Sequence, residues 1–387
     1  MKPRLIDIAQ RADVSEATVS RVLNGKPGIT EETRSAVLEA ARDLGRDLTG
    51  LPGTRERLVG VLVPDLENPI FAQWAERVEA ELFQRGAATL IAVRARTVER
   101  EQEAFERFLR AGACGIVVVS GHHAQEEGSV GHYRAIVQQG IPLALVNGVR
   151  PDLDATYIST DDDRAVRMSI AHLRELGHTA IALAVGDERT WPVREKVRAF
   201  EQALAAESGV RGTVAYTDFS YAGGYQAARE VAAAGCTGLL CGSDVMAAGA
   251  LEGVRSLGLA VPGDVSVIGY DDAQWAAMTS PALTTVRQSV PEMARAAVRA
   301  VLEGGEHSRR PARTELQTIP QLIVRGTTGA APRGGADARR SGRAREQSGR
   351  AGELSGRAGE LSGRPGERGV ASAGRRGAAE HLVTMSR

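Results

Sequence analysis

Apolar residues in the first fifty positions recur at helical spacing. Leu5, Ile8, Ala9 and Ala12 fall at i, i+3, i+4 and i+7 and form one stripe, with Asp7 in the first turn, where a carboxylate complements the helix dipole. Ser15 is a good N-cap for a second helix, Glu16 adds an acid to its first turn, and Val19, Val22 and Leu23 supply its apolar face. Thr30 caps a third helix, with Glu31 and Glu32 in the first turn, Val37, Ala40, Ala41 and Leu44 inward, and Gly45 as the stop. The pattern predicts an all-α unit over residues 1–46, a helix-turn-helix whose third helix closes a small core.

From Leu58 the period changes. Short β-branched runs over 58–63, 89–93, 115–119 and 143–146 alternate with amphipathic helical stretches, which predicts a parallel sheet covered on both faces. Gly86, Gly112 and Gly140 each follow a helical stretch and precede a strand, the place where a left-handed glycine ends a helix. The unit begins again after Tyr157, with strands over 180–185, 238–241 and 265–270 and stop glycines at Gly177, Gly235 and Gly258. Two similar α/β halves follow. After Pro281 come a β-like run over 284–288, a helix over 291–302 and a last strand region over 315–324.

Two stretches fit neither period. Residues 47–57 are a polar connector broken by Gly50, Pro52 and Gly53, and they read as a linker. Residues 328–387 are dominated by Gly, Arg, Ser, Ala and Glu, with a near-repeat of seven starting at Ser341, Ser348, Ser355 and Ser362. Repeated Gly and at most one Leu per unit leave no coiled-coil seam, so this is a disordered tail, with weak attraction to DNA as a second role.

The net charge of zero conceals a division. Lys and Arg against Asp and Glu number 10 against 9 over residues 1–57, 26 against 33 over 58–330, and 12 against 6 beyond. So modest a charge in the first unit means that affinity for a polyanion cannot rest on bulk charge alone. Cys114, Cys236 and Cys241 are an odd set without metal-ligand spacing, which suggests neither a disulfide framework nor a zinc site. The chain runs into its first helix without a charged leader and has no run of about 18 apolar residues, so secretion and membrane insertion are not expected and a cytoplasmic location fits.

The second helix turns Glu16, Ala17, Ser20, Arg21 and Asn24 away from its apolar face, mostly small or hydrogen-bonding side chains of the kind a major-groove helix needs. Arg21 can read guanine bidentately or hold a phosphate. Ser15, Thr18 and Ser20 suit phosphate contacts or local caps, and Arg4 and Arg34 are further phosphate or base candidates. The run Val14-Ser15-x-x-Thr18-Val19-Ser20-Arg21-Val22-Leu23-Asn24 is far longer than the generic motif. It closely resembles the DNA-binding headpiece of the lactose-repressor (LacI/GalR) family.

The resemblance covers roughly residues 4–327. It implies a bilobed, periplasmic-binding-protein-like α/β domain over 58–327, its late segments crossing back so that lobe 1 holds about 58–158 and 286–314 and lobe 2 about 159–285 and 315–327. The connector departs from the family, whose hinge begins with a Tyr and a Pro-Asn pair and folds into a helix with a leucine wedge. Here those residues are missing and a Gly and a Pro interrupt any helix, leaving Leu48 or Leu51 as the wedge candidates.

Ligands of open parallel sheets sit beyond the carboxyl ends of the strands, so the loops there are the effector candidates. Pro64-Asp65-Leu66-Glu67-Asn68-Pro69-Ile70-Phe71 is similar to the family segment whose aromatic lines the pocket, which nominates Phe71. In Thr190-Trp-Pro-Val-Arg-Glu-Lys196, Lys196 stands where the family has an effector-binding Arg, and Arg194 is an alternative reach. Phe219 matches a family aromatic that stacks on the ligand, Ser243 stands where Asn is common, and Asp271 matches a carboxylate that accepts sugar hydroxyls. Asn147, after the 143–146 strand, completes the set. The run Asp161-Asp162-Asp163 reads as a helix-capping cluster, and His122, His123 and His132 as loop histidines without a partner at ligand spacing.

No Gly-x-Ser-x-Gly elbow, P-loop or Gly-x-Gly-x-x-Gly is present, so an enzyme reading has no foothold, and no cofactor or metal is expected. The expectation is a homodimeric regulator, a repressor, reading a pseudo-palindromic double-stranded operator and sensing a small polar effector such as a sugar. The alternative is a solute-binding or sensory receptor of the same bilobed fold.

Overall fold

The computed structural model describes residues 3–26, 28–46, 57–93, 97–304 and 313–332. The connector residues 47–56, with Leu48 and Leu51, and the tail from 333 lie outside the described residues.

The N-terminal unit is α1 (Leu5–Arg11), α2 (Glu16–Leu23) and α3 (Glu31–Asp43). Ser15 Oγ accepts the Thr18 amide at 3.1 Å and Thr30 Oγ1 the Thr33 amide at 3.3 Å, so both expected N-caps form. The turn between α1 and α2 passes through Asp13 at φ 53°, a left-handed conformation that a short polar side chain tolerates. Ile8, Ala9, Val19, Val22, Leu23, Val37, Ala40 and Ala41 form the buried core. Leu44 does not join it; it is the C-cap of α3 and is 37% exposed.

In the first lobe, β1 (Arg57–Val63), β2 (Ala87–Val93), β3 (Gly115–Val119), β4 (Leu143–Val146) and β5 (Thr156–Thr160) alternate with α4 (Pro69–Phe83), α5 (Val98–Ala111) and α6 (Gly131–Gln138). The second lobe runs α7 (Asp162–Glu175), β6 (Ala180–Val185), α8 (Trp191–Ala205), β7 (Arg211–Tyr216), α9 (Tyr221–Ala233), β8 (Gly238–Cys241), α10 (Asp244–Ser256), β9 (Ser266–Asp271) and β10 (Thr284–Arg287). The chain then returns through α11 (Val290–Glu303) and β11 (Thr314–Thr318) to the first lobe and ends in β12 (Gln321–Ile323) of the second. The sheets are ordered β11-β5-β4-β3-β1-β2 and β12-β10-β9-β8-β6-β7, parallel throughout except for β12 against β10.

Each sheet is buried on both faces, which is why its central strands read as unbroken apolar runs. Trp74, Val78, Met293 and Val298 cover one face of the first sheet, and Phe105, Phe108, Tyr133 and Ile136 the other. Phe108 lies against Gly60 so closely that a Cβ there would fall 2.5 Å from its ring. Gly45, Gly86, Gly112, Gly140, Gly177, Gly235 and Gly258 all have φ between 63° and 88°, as expected of stop glycines.

The structure corrects the late segments and the lobe limits. The region 315–324 is two strands, one in each sheet, because Thr314 to Thr318 pair with Thr156 to Thr160 whereas Gln321 to Ile323 pair with Arg287 to Thr285. The crossings therefore follow Thr160, Arg287 and Thr318 instead of falling near 158, 285 and 314. Residues 328–332 are not tail. Thr328 Oγ1 is 3.0 Å from His172 Nε2, the Gly329 carbonyl 3.1 Å from His178 Nε2, and the Ala331 amide donates to the Leu176 carbonyl at 2.8 Å.

Candidate functional site

Two surfaces gather the residues that the sequence nominated. On the N-terminal unit, Glu16, Ala17, Arg21 and Asn24 are exposed, and Ser20 and Thr18 half-exposed, on the face of α2 opposite its core. Several of these groups are held in place: Ser15 Oγ lies 2.9 Å from Thr18 Oγ1, and Asn24 Nδ2 donates to the Ser20 carbonyl at 2.8 Å and approaches its Oγ at 3.3 Å. The Arg4 amide donates to Asp7 at 3.0 Å, which fixes the start of α1 and leaves the Arg4 side chain 76% exposed. Arg34 is half-buried on α3. The result is a small rigid unit whose second helix offers a polar face with a guanidinium at its edge.

The second surface is a cleft between the two sheets' carboxyl ends, with a cavity of about 340 Å³ lined by Phe71, Asn147, Lys196, Phe219, Ser243 and Asp271 among others. Six of the seven nominated effector residues thus converge. The seventh does not: Arg194 Nη1 pairs with Glu126 Oε1 at 2.6 Å outside the cavity. At 100° per residue, two positions along α8 from Lys196 lie on the opposite face of the helix.

Backbone strain marks the cleft. Ser120, Asn147 and Asp271, at the ends of β3, β4 and β9, have φ of 47°, 64° and 123°, conformations that cost of order 1–3 kcal/mol each for non-glycine residues and cluster at ligand sites. Asn147 Nδ2 donates to Ser120 Oγ at 3.1 Å, and Asn68 caps α4 by accepting the Ile70 amide at 3.3 Å. Phe219 sits over two glycines: a Cβ at Gly186 would come within 2.3 Å of its ring and one at Gly242 within 2.8 Å. Ser243 lines the cleft, but its Oγ is already engaged as the N-cap of α10, accepting the Met246 amide at 3.2 Å.

Sequence reasoning missed the partners that fix these groups. Asp162, read as one of a capping run, is turned inward while Asp161 does the capping; it meets Lys196 Nζ at 2.8 Å and the Tyr270 hydroxyl at 2.6 Å. Gln288 accepts from Thr160 Oγ1 at 3.0 Å and donates from Nε2 to Asp271 Oδ1 at 2.6 Å, linking the end of β5 to the end of β9. Burial and the nearby Asp244 push the Asp271 carboxyl well above the usual range. Asp244 is itself pushed up to about 7 by burial, against hydrogen bonds from the Thr285 hydroxyl and the Ala273 amide. The local signals around Asp162 and Asp244, helix N-terminal carboxylates, and around Gln288, the end of a β-like run, say nothing of these partners, which each meets only after the sheets assemble.

The histidines also differ from expectation. His122 and His123 are buried, and Glu101 on α5 accepts from the His122 amide at 3.0 Å and the Tyr133 hydroxyl at 2.5 Å, with His132 Nε2 at 2.8 Å. Burial alone would raise the Glu101 carboxyl, but these hydrogen bonds outweigh it and hold the group well below the usual range. The cluster is a buried brace, and among the described residues no group of side chains could hold a metal ion. Among them, too, no helix is long and apolar enough to cross a membrane.

Comparison with known proteins bears on the family and the fold. Residues 4–45 match the bacterial regulatory proteins, lacI family, and residues 170–328 the periplasmic binding protein-like domain. The HTH-type transcriptional regulator MalR of Streptomyces coelicolor is 42% identical over 340 residues, covering 86% of this chain and 98% of its own. GalR of Escherichia coli is 30% identical over 328 residues, covering 82% and 94%. Among solved structures, the transcriptional regulator CelR-cellobiose complex aligns at a TM-score of 0.61 and 27% identity, over 84% of this chain and 99% of that one. The lac repressor dimer bound to operator and the anti-inducer ONPF shares the fold at a TM-score of 0.66 and 24% identity, over 85% and 100%. With a three-helix N-terminal unit matched over residues 4–45, a cleft between two doubly wound sheets, and relatives matched along nearly their full length, the chain belongs to the lacI family of DNA-binding transcriptional regulators.

Proposed function

We propose that this regulator is a homodimeric cytoplasmic repressor whose affinity for a pseudo-palindromic operator is set by a small, uncharged polyol, a sugar, bound in the interlobe cleft. The observation that carries the reading is the composition of the cleft. Asp65, Asp162, Asp187, Asp218 and Asp271 line it; Asp162 is paired with Lys196, the one lining cation among the described residues, Asp187 is paired with Arg189, and Asp271 is held in its protonated form by burial, which leaves Asp65 and Asp218 as the anionic acceptors. Such a wall offers acceptors to hydroxyl groups and repels phosphates and carboxylates. Phe219 and Phe71 supply the apolar faces on which a sugar ring stacks. The CelR neighbour is a cellobiose complex, and a lacI-family neighbour from Enterococcus faecium holds ribose.

In this reading α2 enters the major groove, with Arg21 on a base edge and Ser15, Glu16, Ala17, Thr18, Ser20 and Asn24 around it, while Arg4 and Arg34 reach phosphates. Residues 47–57 link this unit to the lobes. A ligand that prefers one lobe arrangement shifts the balance between arrangements, and by linkage changes operator affinity by the same factor. The receptor alternative is disfavoured because it gives the N-terminal helices no task.

The test is a thermal-shift screen of neutral mono- and disaccharides against sugar phosphates and small acids, followed by operator binding with and without each hit. A neutral sugar should raise the melting temperature and change operator affinity. Stabilisation by anionic ligands only would overturn the reading.

A further inference from the structure

Across the mouth of the cleft, a loop of the first lobe meets the start of α8 in the second. Gln125 and Thr190 form an isolated antiparallel bridge, the Glu126 amide donates to the Arg189 carbonyl at 2.9 Å, and Arg194 Nη1 lies 2.6 Å from Glu126 Oε1. Gln125 and Thr190 line the cavity, whereas Glu126 and Arg194 lie outside it. We propose that this contact is a latch that holds the lobes closed over the cleft, with Arg194, acting through Glu126, as a positioning residue for the closed arrangement.

Both halves are braced within their own lobes. On the first lobe, Arg150 Nη1 donates to the carbonyls of Gln125 and Gly128 at 3.2 and 3.1 Å, and the loop is seated from behind where the His122 amide meets buried Glu101 at 3.0 Å. On the second, Thr190 Oγ1 donates to the Asp187 carbonyl at 2.9 Å, and the Arg189 guanidinium pairs with the Asp187 carboxylate. The strap and its catch are thus ordered before they meet, so little conformational freedom is lost on closure. The joining ion pair is half exposed, 50% for Arg194 and 53% for Glu126, which leaves it open to water and salt. A buried pair would lock the lobes; an exposed one combined with one isolated backbone bridge can be made and broken repeatedly.

The ligand consequence rests on the cleft being the effector site, but the latch itself is read without any ligand. Hydrogen exchange of the Glu126 amide in the full chain reports the bond to Arg189 directly. Arg194→Glu and Glu126→Arg should each lower protection of that amide about tenfold, Arg194→Gln by less, and the Arg194→Glu/Glu126→Arg double variant should restore it. Urea midpoints should be unchanged, since the lobes' cores are untouched. For any sugar identified in the screen, the single reversals should speed dissociation by a similar factor and the double variant should reverse this. Unaltered Glu126 protection in both single variants would overturn the latch, as would a double variant no better protected than either single one. If the exchange pattern holds but no neutral sugar binds, the latch stands and the effector reading falls.

Discussion

The ammonium of Lys196 lies 2.8 Å from Oδ1 of Asp162, the same oxygen that accepts the Tyr270 hydroxyl at 2.6 Å, and 4.2 Å from the centre of the Tyr270 ring. Three elements, α7, α8 and β9, thus converge on one carboxylate oxygen in a nearly solvent-free corner of the cleft, where both charged side chains are 6% exposed. Burial and the Asp162 charge hold the Tyr270 phenol well above its usual range, so it donates at any physiological pH. Lys196→Met strands Asp162 without its counter-charge and should cost about 3–5 kcal/mol of stability by urea denaturation. Lys196→Met/Asp162→Leu should recover most of that loss. A single variant as stable as the parent would mean that the pair contributes nothing.

Arg21 is exposed at the edge of the polar face of α2. Arg21→Ala should weaken specific operator binding by about 1–3 kcal/mol and relax preference at one base pair, with the melting temperature of the chain unchanged. Competition titrations against scrambled duplex measure this. A uniform loss on all duplexes would assign Arg21 to phosphate instead.

Gly186→Ala tests the aromatic wall of the cleft. A methyl group there meets the Phe219 ring at 2.3 Å, too close to accommodate, so the ring must swing away from its place over Gly186 and Gly242. Affinity for a bound sugar should fall about tenfold or more, with little change in operator binding without ligand. Calorimetry on the variant and on Phe219→Ala should give similar losses if the glycine acts only through the ring.

The headpiece was legible almost residue by residue because its information is local: caps, an i, i+3, i+4 stripe and a stop glycine all lie within one turn of the groups they govern. The alternating sheets were legible for the same reason, since strands buried on both faces show as unbroken apolar runs. What escaped was set by long-range pairing. β7 is an edge strand with an exposed, mixed sequence, and β5 is the short polar run Thr-Tyr-Ile-Ser-Thr, so neither stands out from a loop. Arg194 and Lys196 look equivalent in the sequence, and only the orientation of α8 separates a cleft residue from one at its rim. Glu101 and His122 lie 21 positions apart, too far for any spacing rule to join them.

The buried carboxyls make lobe 2 sensitive to pH with a definite sign. Asp244 is pushed up to about 7 and Asp271 is raised as well, so the folded chain keeps protons that an unfolded chain releases near pH 4. Their contribution to stability is present in full below about pH 4 and is lost as pH rises through about 7, by at most about 1.4 kcal/mol per pH unit for one proton. Glu101 acts oppositely, its low value favouring the fold above the ordinary carboxylate range. Subtracting the melting curve of Asp244→Asn from that of the parent isolates the first effect. The difference should shift against the parent between pH 5 and pH 8, and a flat difference would mean that the pair titrates normally.

Only Ile319 and Pro320 separate β11, the outer strand of one sheet, from β12, the outer strand of the other, and α11 reaches its sheet only after the chain has finished nearly all of the second lobe. A ribosome must therefore deliver nearly all of the described chain before either half can complete its sheet. A transcript truncated, or a protein clipped, just before Thr314 would strip a border strand from both halves in one event. Such a chain would keep the three N-terminal helices, whose core is their own, and lose the edge of both sheets together.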